Sequence, residues 1–327
     1  MLNGAQIVSI PYDTQFSRGG VQYAQLSLHY TYNRMGLDLA PRLRKIVVGV
    51  AFEMAFRRWL ESQQIVYDRL GATDFKERDR YDIGVGGRRC DLKCSLIDNI
   101  RHQRAIQEQV TWFLDCSALV PIDQFISQSL GERDIYVFGF LVGKEARNIE
   151  QTREQYRLTS ESYLIYPLQA APWCKPSHWQ PLSPLLLKSK LAEPITVTVG
   201  GLDQERQPIR ETLTLLPRQR TPLTQTFYSV LYLHVDRQPE DVIALYSQTL
   251  DDLQLVASFD WHNIWLYGRQ VYLAGWLAKQ EFRAKSHQLL AGSATKQYPS
   301  TKTHNRAMLV QDLRPMAQLV RLYGNAA

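Results

Sequence analysis

The segment from 80 to 95, RYDIGVGGRRCDLKCS, constrains the fold of this chain more than any other stretch. Strand-forming residues lie on both sides of Gly86-Gly87, and two adjacent glycines suit the two-residue turns that close β-hairpins. Counting outward from this turn predicts the opposed pairs Val85–Arg88, Gly84–Arg89, Ile83–Cys90 and Asp82–Asp91. The segment should therefore form two antiparallel strands of a sheet.

This pairing places Asp82, Asp91 and Lys93 on one face, because opposed residues share a face and so do residues two apart on a strand. The cysteines and the leucine between them would point toward a core. Two opposed carboxylates repel each other, so a cation between them would explain the pair. Mg²⁺ accepts one or two carboxylates while keeping waters, and a nearby lysine can hold a phosphate or polarise a water. The simpler alternative is a solvated polar face with a chance Asp-x-Lys.

The hairpin lies within a predicted order of helix, three strands, helix and strand. The first helix is predicted at 41–62, where the apolar run 46–56 is interrupted by Gly49 and Glu53. A buried carboxylate without a partner is costly, so Glu53 should lie on an exposed helix edge or face a positive group. The three strands are predicted at 64–70, 81–85 and 88–95, the second helix at 98–117 and the last strand at 134–142.

The second helix has Asp98 or Asn99 as a predicted N-cap and basic residues in its first turns. Arg101 and Arg104 at that end oppose the helix dipole. A bound anion would explain them, and an ordinary solvated helix face is the alternative.

This order of elements, together with Glu53, Asp82 and Asp91-Leu92-Lys93, resembles the PD-(D/E)XK nuclease superfamily, which includes many restriction endonucleases and repair nucleases. The resemblance covers roughly residues 41–143. It implies an α/β (α+β) fold with a restriction-endonuclease-like αβββαβ core, in which helices flank a mixed sheet. The sequence departs from the family pattern because Asp82 follows a tyrosine rather than a proline and because the hairpin is short.

The resemblance also implies a catalytic group made of Glu53, Asp82, Asp91 and Lys93. It implies a Mg²⁺ or Mn²⁺ ion held by Asp82, Asp91, the carbonyl of Leu92 and, directly or through water, Glu53. The expected activity is metal-dependent hydrolysis of DNA phosphodiester bonds by an endonuclease of restriction, defence or repair type. The alternatives are a catalytically silent nuclease fold that binds nucleic acid or a protein partner, and a nuclease that acts on RNA or single strands. Cutting both strands of a duplex would favour a homodimer or two sequential nicks.

Positive charge is concentrated at the C-terminal end of the chain. The net charge is +6, and residues 279–327 contain eight Lys or Arg against two acids, so they carry the whole excess. Such a distribution indicates a polyanionic partner, or else a basic, merely soluble C-terminus. The residues predicted to contact nucleic acid are Arg88, Arg89, Arg101, Arg104, Lys285, Lys296, Lys302 and Arg306.

The sequence predicts four regions. Residues 1–40 should form an N-terminal β extension, 41–143 the nuclease core, 144–255 an insertion or second lobe, and 256–327 a return to the core sheet followed by a basic segment. Proline is dense from 167 to 222. Within the second lobe we predict a hairpin from 195–199 and 212–216, a strand at 227–235 and a helix at 239–253. The segments 136–147 and 272–283 resemble each other, which indicates either two neighbouring strands of one sheet or chance similarity. If they pair, the chain returns to the core sheet after the second lobe.

Composition places the chain among globular proteins, with 45% hydrophobic and 21% charged residues. No apolar run approaches the roughly 20 residues of a membrane-spanning helix, and the N-terminus does not resemble a signal peptide. We therefore expect a cytoplasmic protein without a membrane partner. Four cysteines without paired spacing favour buried thiols over disulfides or a zinc site.

Overall fold

The computed structural model describes residues 1–28, 38–71, 81–127 and 130–324. The chain divides into two compact units, and the fold is mixed α/β. Unit 1 contains Met1–Leu37, Lys45–Lys144 and Leu266–Ala327, and unit 2 contains Asp38–Arg44 and Glu145–Trp265. Unit 2 thus covers the predicted second lobe and continues for ten residues beyond its predicted end at 255. In the described residues, no helix combines the length and the apolar character needed to cross a membrane.

The regular elements follow in chain order. The α-helices are α1 (Thr14–Ser27), α2 (Leu39–Ser62), α3 (Ile100–Glu108), α4 (Ile122–Ile126), α5 (Ile149–Thr159), α6 (Ala171–Cys174), α7 (Lys279–Lys285) and α8 (Met316–Tyr323). The β-strands are β1 (Val8–Pro11), β2 (Tyr67–Asp68), β3 (Ile83–Val85), β4 (Arg88–Ile97), β5 (Ser117–Pro121), β6 (Ile135–Glu145), β7 (Leu164–Pro167), β8 (Leu185–Ser189), β9 (Ile195–Leu202), β10 (Pro208–Leu215), β11 (Arg220–Pro222), β12 (Ser229–Val235), β13 (Ile243–Ser247), β14 (Asp252–Val256), β15 (His262–Asn263), β16 (Leu266–Ala278), β17 (His287–Leu289) and β18 (Asn305–Leu309).

A mixed sheet forms the centre of unit 1, with the described strands in the order β1-β16-β6-β4-β3-β2. Strands β2, β3 and β4 are successively antiparallel, whereas β4 and β6 are parallel. The predicted order of helix, three strands, helix and strand is confirmed from α2 to β6, with β5 and α4 added before β6. The two similar segments are neighbours as well, because β6 lies beside β16. The first predicted strand is shorter than expected, since within the described part of the chain it pairs only at Tyr67–Asp68.

Helices cover both faces of this sheet. Phe52 of α2 packs directly on β6 at Gly139, where a Cβ atom would lie 2.5 Å from the Phe52 ring. Gly139 is the register partner of Cys94, so α2 covers the face on which Cys94 lies. On the opposite face, Phe113 in the 3₁₀ turn after α3 stacks on Phe140 of β6, with 4.5 Å between ring centroids. The side-chain amide of Gln103 in α3 donates to the carbonyls of Ile97 and Gly143, which fixes α3 at the ends of β4 and β6.

The prediction of an N-terminal β extension is wrong for most of the described part of that segment. Only Val8–Pro11 is a strand, and α1 follows, with Asp13 as its N-cap accepting from the Gln15 N–H at 2.9 Å. The buried residues Phe16, Gly20 and Ala24 are spaced four apart, which is the period of a helix rather than a strand. The strand prediction depended on the alternation of Leu26, Leu28, Tyr30 and Tyr32, of which Tyr30 and Tyr32 lie outside the described residues.

Unit 2 is rich in β structure. Its described strands form two sheets, in the orders β10-β9-β12-β7-β15 and β11-β8-β13-β14. The predicted hairpin of β9 with β10 and the predicted strand β12 are confirmed. The predicted helix at 239–253 is wrong, because β13 and β14 pair there as an antiparallel hairpin. Residues Ile243–Ser247 alternate between buried and half-buried positions, and Asp251 adopts a positive φ of 46° in the turn. A period of two and a turn of this kind are incompatible with a continuous helix.

Candidate active site

The hairpin from β3 to β4 has the predicted register. Ile83 pairs with Cys90, Gly84 with Arg89 and Val85 with Arg88. The turn residues Gly86 and Gly87 have φ angles of 57° and 72°. Positive φ at both central positions is the geometry that glycine adopts without strain. The sequence therefore fixes this register locally.

Asp82 lies one residue beyond the end of this ladder and makes contacts on either side of Asp91. Its backbone N–H donates to the Cys90 carbonyl at 3.1 Å, and its carboxylate Oδ2 accepts from the Leu92 N–H at 2.6 Å. Because Cys90 and Leu92 are the two chain neighbours of Asp91, these bonds hold the Asp82 carboxylate next to Asp91. In the described residues the ladder ends at the Ile83–Cys90 pair, so one backbone bond and one side-chain bond hold Asp82 beside Asp91 in place of the predicted Asp82–Asp91 pair.

Lys93 forms an ion pair with Asp91 within β4. Its ammonium Nζ donates to Asp91 Oδ1, and the two side chains are 11% and 21% exposed, respectively. Residues two apart on a strand share a face, so this contact follows from the Asp-x-Lys spacing. The ammonium of Lys93 is therefore the positive charge that accompanies the carboxylates of Asp82 and Asp91 near the start of β4.

The electrostatic balance of the site is negative. Burial raises the pKa of the Asp82 carboxyl to about 7, and the negative charges of Asp91 and, more weakly, Glu53 act in the same direction. The charge of Lys93 and the hydrogen bond from Leu92 oppose this rise. Lys93 thus compensates the two aspartates only in part, and a further cation at this position would stabilise the ionised form of Asp82.

Glu53 lies in α2, and its negative charge adds to the rise of the Asp82 pKa. Its side chain is 23% exposed and lies 3.7 Å from the guanidinium of Arg57, one helical turn later in α2. Helix α2 covers the sheet face that carries Cys94, whereas Asp91 and Lys93 lie on the other face. Glu53 is therefore both at a half-exposed helix edge and next to a positive group.

The donor set fits a hydrated divalent cation better than a fully protein-ligated one. Among the residues that the structure describes, no three or more His, Cys, Asp or Glu side chains are grouped so that they could hold a metal ion. Two adjacent carboxylates are nevertheless sufficient for Mg²⁺, which keeps several of its waters. The raised pKa of Asp82 comes first from burial and next from the charge of Asp91, and a bound cation would favour the ionised carboxylate. Asp82 and Asp91 would hold such an ion, with the Leu92 carbonyl next to them in the chain.

Three of the residues predicted to contact nucleic acid make hydrogen bonds within the chain. Arg89 donates from Nε to Asp134 Oδ2 at 2.7 Å, and Arg88 donates from Nη1 to the Arg133 carbonyl at 3.1 Å. Arg306 donates to the hydroxyl of Ser286 at 3.0 Å, to the carbonyl of Arg283 in the last turn of α7 at 3.1 Å and to the carbonyl of Ser286. These guanidinium groups hold chain segments together, and their contact with nucleic acid stays a prediction.

The other predicted contacts lie on the surface. Four of them are exposed, namely Arg101, Arg104, Lys285 and Lys302. Lys296 is also exposed, and its ammonium lies 3.8 Å from the Asp115 carboxylate. The contact of these five side chains with nucleic acid stays a prediction.

Two residues near the site were missed from the sequence. Asp134 accepts from the Gly131 N–H at 2.6 Å and from both the backbone and the side chain of Arg89, so it fixes the start of β6 against β4. Tyr136 is the register partner of Asp91. The one sequence feature that distinguishes Tyr136 is its hydroxyl in an otherwise apolar strand. Its position beside Asp91 depends on the parallel register of β4 and β6, which the sequence alone does not predict.

The cysteines are free thiols, as the sequence predicted. Cys90, Cys94, Cys116 and Cys174 all lie in the described residues, and Cys90 and Cys116 are fully buried. Burial raises the pKa of the Cys116 thiol to about 12 and also raises the pKa of Cys90 and Cys94. Such thiols are poor nucleophiles.

Comparison of the chain with protein-family models, with curated proteins and with solved structures finds no match. Functional inference for this chain therefore depends on the geometry of Asp82, Asp91 and Lys93 and on the charge around them.

Proposed function

We propose that this chain is a Mg²⁺-dependent nuclease that hydrolyses phosphodiester bonds of DNA, with Asp82, Asp91 and Lys93 as its catalytic group. One observation carries the proposal. Two half-buried carboxylates lie together beside a single ammonium, and the pKa of one carboxyl is raised to about 7. Groups with perturbed pKa values and a specific charge partner are concentrated at functional sites.

The fold gives this proposal additional support. The order from α2 to β6 and the mixed sheet with helices on both faces agree with the αβββαβ core that the resemblance to PD-(D/E)XK nucleases implies. Asp82 precedes the second strand of that order, and Asp91 and Lys93 lie on the third. We therefore propose that the chain has the restriction-endonuclease-like core as well as its chemistry.

Each residue has a role that its surroundings favour. Asp82 and Asp91 would hold the metal ion, and Glu53 would act through a water because it lies at the edge of α2. When bound, Mg²⁺ would lower the pKa of a water and neutralise charge that develops on the phosphate. Lys93 would turn from Asp91 to donate to a phosphate oxygen and orient the attacking water.

A cleavage assay tests the proposal. Purified protein is incubated with supercoiled plasmid in Mg²⁺ or in EDTA, and nicked and linear products are measured. We expect Asp91→Asn and Lys93→Met to lower the rate at least about 100-fold, as is typical when a group that stabilises the transition state is lost. The control is Lys188→Met, which removes an exposed lysine of β8 in unit 2. Wild-type cleavage in EDTA, or variants that cut as fast as the control, would contradict the proposal.

A second candidate is a module that binds nucleic acid without cutting it. The ion pair of Lys93 with Asp91 favours this candidate, because it gives Asp91 a partner that needs no metal. Fluorescence anisotropy with duplex DNA, single-stranded DNA and RNA, each with Mg²⁺ and with EDTA, separates the two. Binding that is insensitive to the metal, without cleavage of any of these substrates, would favour the binding module.

A further inference from the structure

Tyr136 of β6 lies next to the Asp91–Lys93 pair. It is the register partner of Asp91 in the parallel ladder of β4 with β6, so the two side chains share a face of the sheet. The Lys93 ammonium lies 6.0 Å from the centroid of the Tyr136 ring. The ring is fully buried and packs against Phe138 and Phe282, with 6.1 and 5.5 Å between centroids.

The hydroxyl of Tyr136 has no hydrogen-bond partner among the described residues. Buried hydroxyl groups are normally satisfied, because an unpaired one has lost its bonds to water without compensation. Burial and the negative charge of Asp91 both raise the pKa of this phenol, so the hydroxyl keeps its proton and acts as a donor. A donor that would be paired in most proteins is thus left unpaired next to a carboxylate.

The ion pair beside it explains this arrangement. Asp91 Oδ1 accepts from Lys93, and Lys93 is the group that the proposed chemistry requires at the phosphate. When Lys93 turns to a phosphate, Asp91 loses its donor. A neighbouring neutral donor on the same face can then replace the ammonium and hold the carboxylate in one orientation.

We propose that Tyr136 is a positioning residue, whose hydroxyl donates a hydrogen bond to the Asp91 carboxylate when Lys93 leaves it for substrate. This inference rests on the proposed nuclease function and extends it by one residue. The bond would fix the carboxylate so that its other oxygen faces the metal ion, which is the usual contribution of a group that hydrogen-bonds a ligand. Tyr136 itself touches neither substrate nor metal.

The test is Tyr136→Phe, which removes the hydroxyl and keeps the ring. We expect the metal-free variant to have a melting temperature equal to or above that of wild type, because the lost hydroxyl had no partner. We expect the Mg²⁺ concentration for half-maximal thermal stabilisation to rise about 10-fold or more, as for other residues that orient metal ligands. The control is Tyr272→Phe in the neighbouring strand β16, whose ring contacts Phe113 of the same core and which should leave the Mg²⁺ response unchanged.

The outcomes separate this inference from the proposed function. If wild type cleaves DNA and Tyr136→Phe matches it in both Mg²⁺ response and rate, Tyr136 has no positioning role. A lower melting temperature of the metal-free variant would also overturn the inference, because the hydroxyl would then already have a partner. If wild type neither cleaves nor responds to Mg²⁺, the proposed function itself is wrong and the inference falls with it.

Discussion

Replacing Asp82 by asparagine tests the electrostatics of the site without any substrate. Asparagine keeps the shape of the side chain and can still accept the hydrogen bond from Leu92, but it carries no charge. In wild type the carboxyl has a higher pKa in the folded chain than its ordinary value of 3.8. The folded state therefore binds more protons than the unfolded state between these two values, and the stability of wild type falls as the pH rises from about 4 to about 7.

The size of the effect follows from the shift. A rise from 3.8 to about 7 corresponds to about 4 kcal/mol between the two protonation states, and solvent at this half-buried group screens part of it. We expect metal-free Asp82→Asn to gain about 2 kcal/mol over wild type at pH 8, and the gain to shrink toward zero at pH 4. Adding Mg²⁺ at pH 8 should stabilise wild type more than the variant, because only wild type has both carboxylates.

Denaturant unfolding of both proteins across this pH range measures the gain. The matched control is Asp68→Asn on the neighbouring strand β2, whose carboxylate accepts from the Leu70 N–H at 3.0 Å and from the Tyr81 hydroxyl at 3.2 Å. The control should not be more stable than wild type at pH 8, because asparagine accepts these two hydrogen bonds less strongly than a carboxylate does. If Asp82→Asn is no more stable than wild type at pH 8, or if its gain is the same at pH 4 and pH 8, the negative balance that we assign to the site is wrong.

Two further predictions concern the hairpin turn and the basic surface. Gly87→Ala should lower the free energy of unfolding by about 1 kcal/mol, because alanine is strained at the positive φ of this position. Gly86→Ala should lower it by at least about 2 kcal/mol, because the new Cβ would also overlap the ring of Tyr323. Denaturant unfolding would contradict this if the two variants were equally stable. Arg306→Met should lower the free energy of unfolding by about 1 to 2 kcal/mol, because its hydrogen bonds are lost. Lys302→Met should change the free energy of unfolding by no more than about 0.5 kcal/mol and should reduce the salt dependence of DNA binding. Unfolding and salt titrations check this pair, and the reverse pattern would show that Arg306 serves binding and Lys302 the fold.

Local sequence signals predicted the parts of the fold that neighbours along the chain determine. The Gly86-Gly87 pair specified the hairpin register, because a turn of this type leaves one way to count outward. Asn99 specified the start of α3, where its side chain accepts from the Arg101 N–H at 2.9 Å. The same locality explains why the Asp91–Lys93 contact could be predicted, since both residues lie on one face of one strand.

The errors occur where distant contacts decide between competing local patterns. The segment of α1 contains alternating apolar residues, yet Gly20 lies directly against Val47 of α2, and this packing requires a helical face. The segment 239–253 begins with acidic residues that suit a helix, but pairing of β13 with β8 and β14 makes it a hairpin. Tyr136 was missed for the same reason, because its place beside Asp91 depends on the register of two strands separated by α3, β5 and α4.

The Asp91–Lys93 ion pair reconciles a stable fold with a site that still requires a cation. Without any positive group, two carboxylates held together at a half-buried strand would destabilise the hairpin strongly. With full compensation, the site would have little affinity for a metal ion. Lys93 compensates the negative charge in part, because it pairs with Asp91 while the pKa of Asp82 stays raised. In the proposed mechanism, the side chain that supports the fold without metal is therefore the one that turns to the substrate. The carboxylate that it leaves would then take its hydrogen bond from the Tyr136 hydroxyl, which has no partner among the described residues.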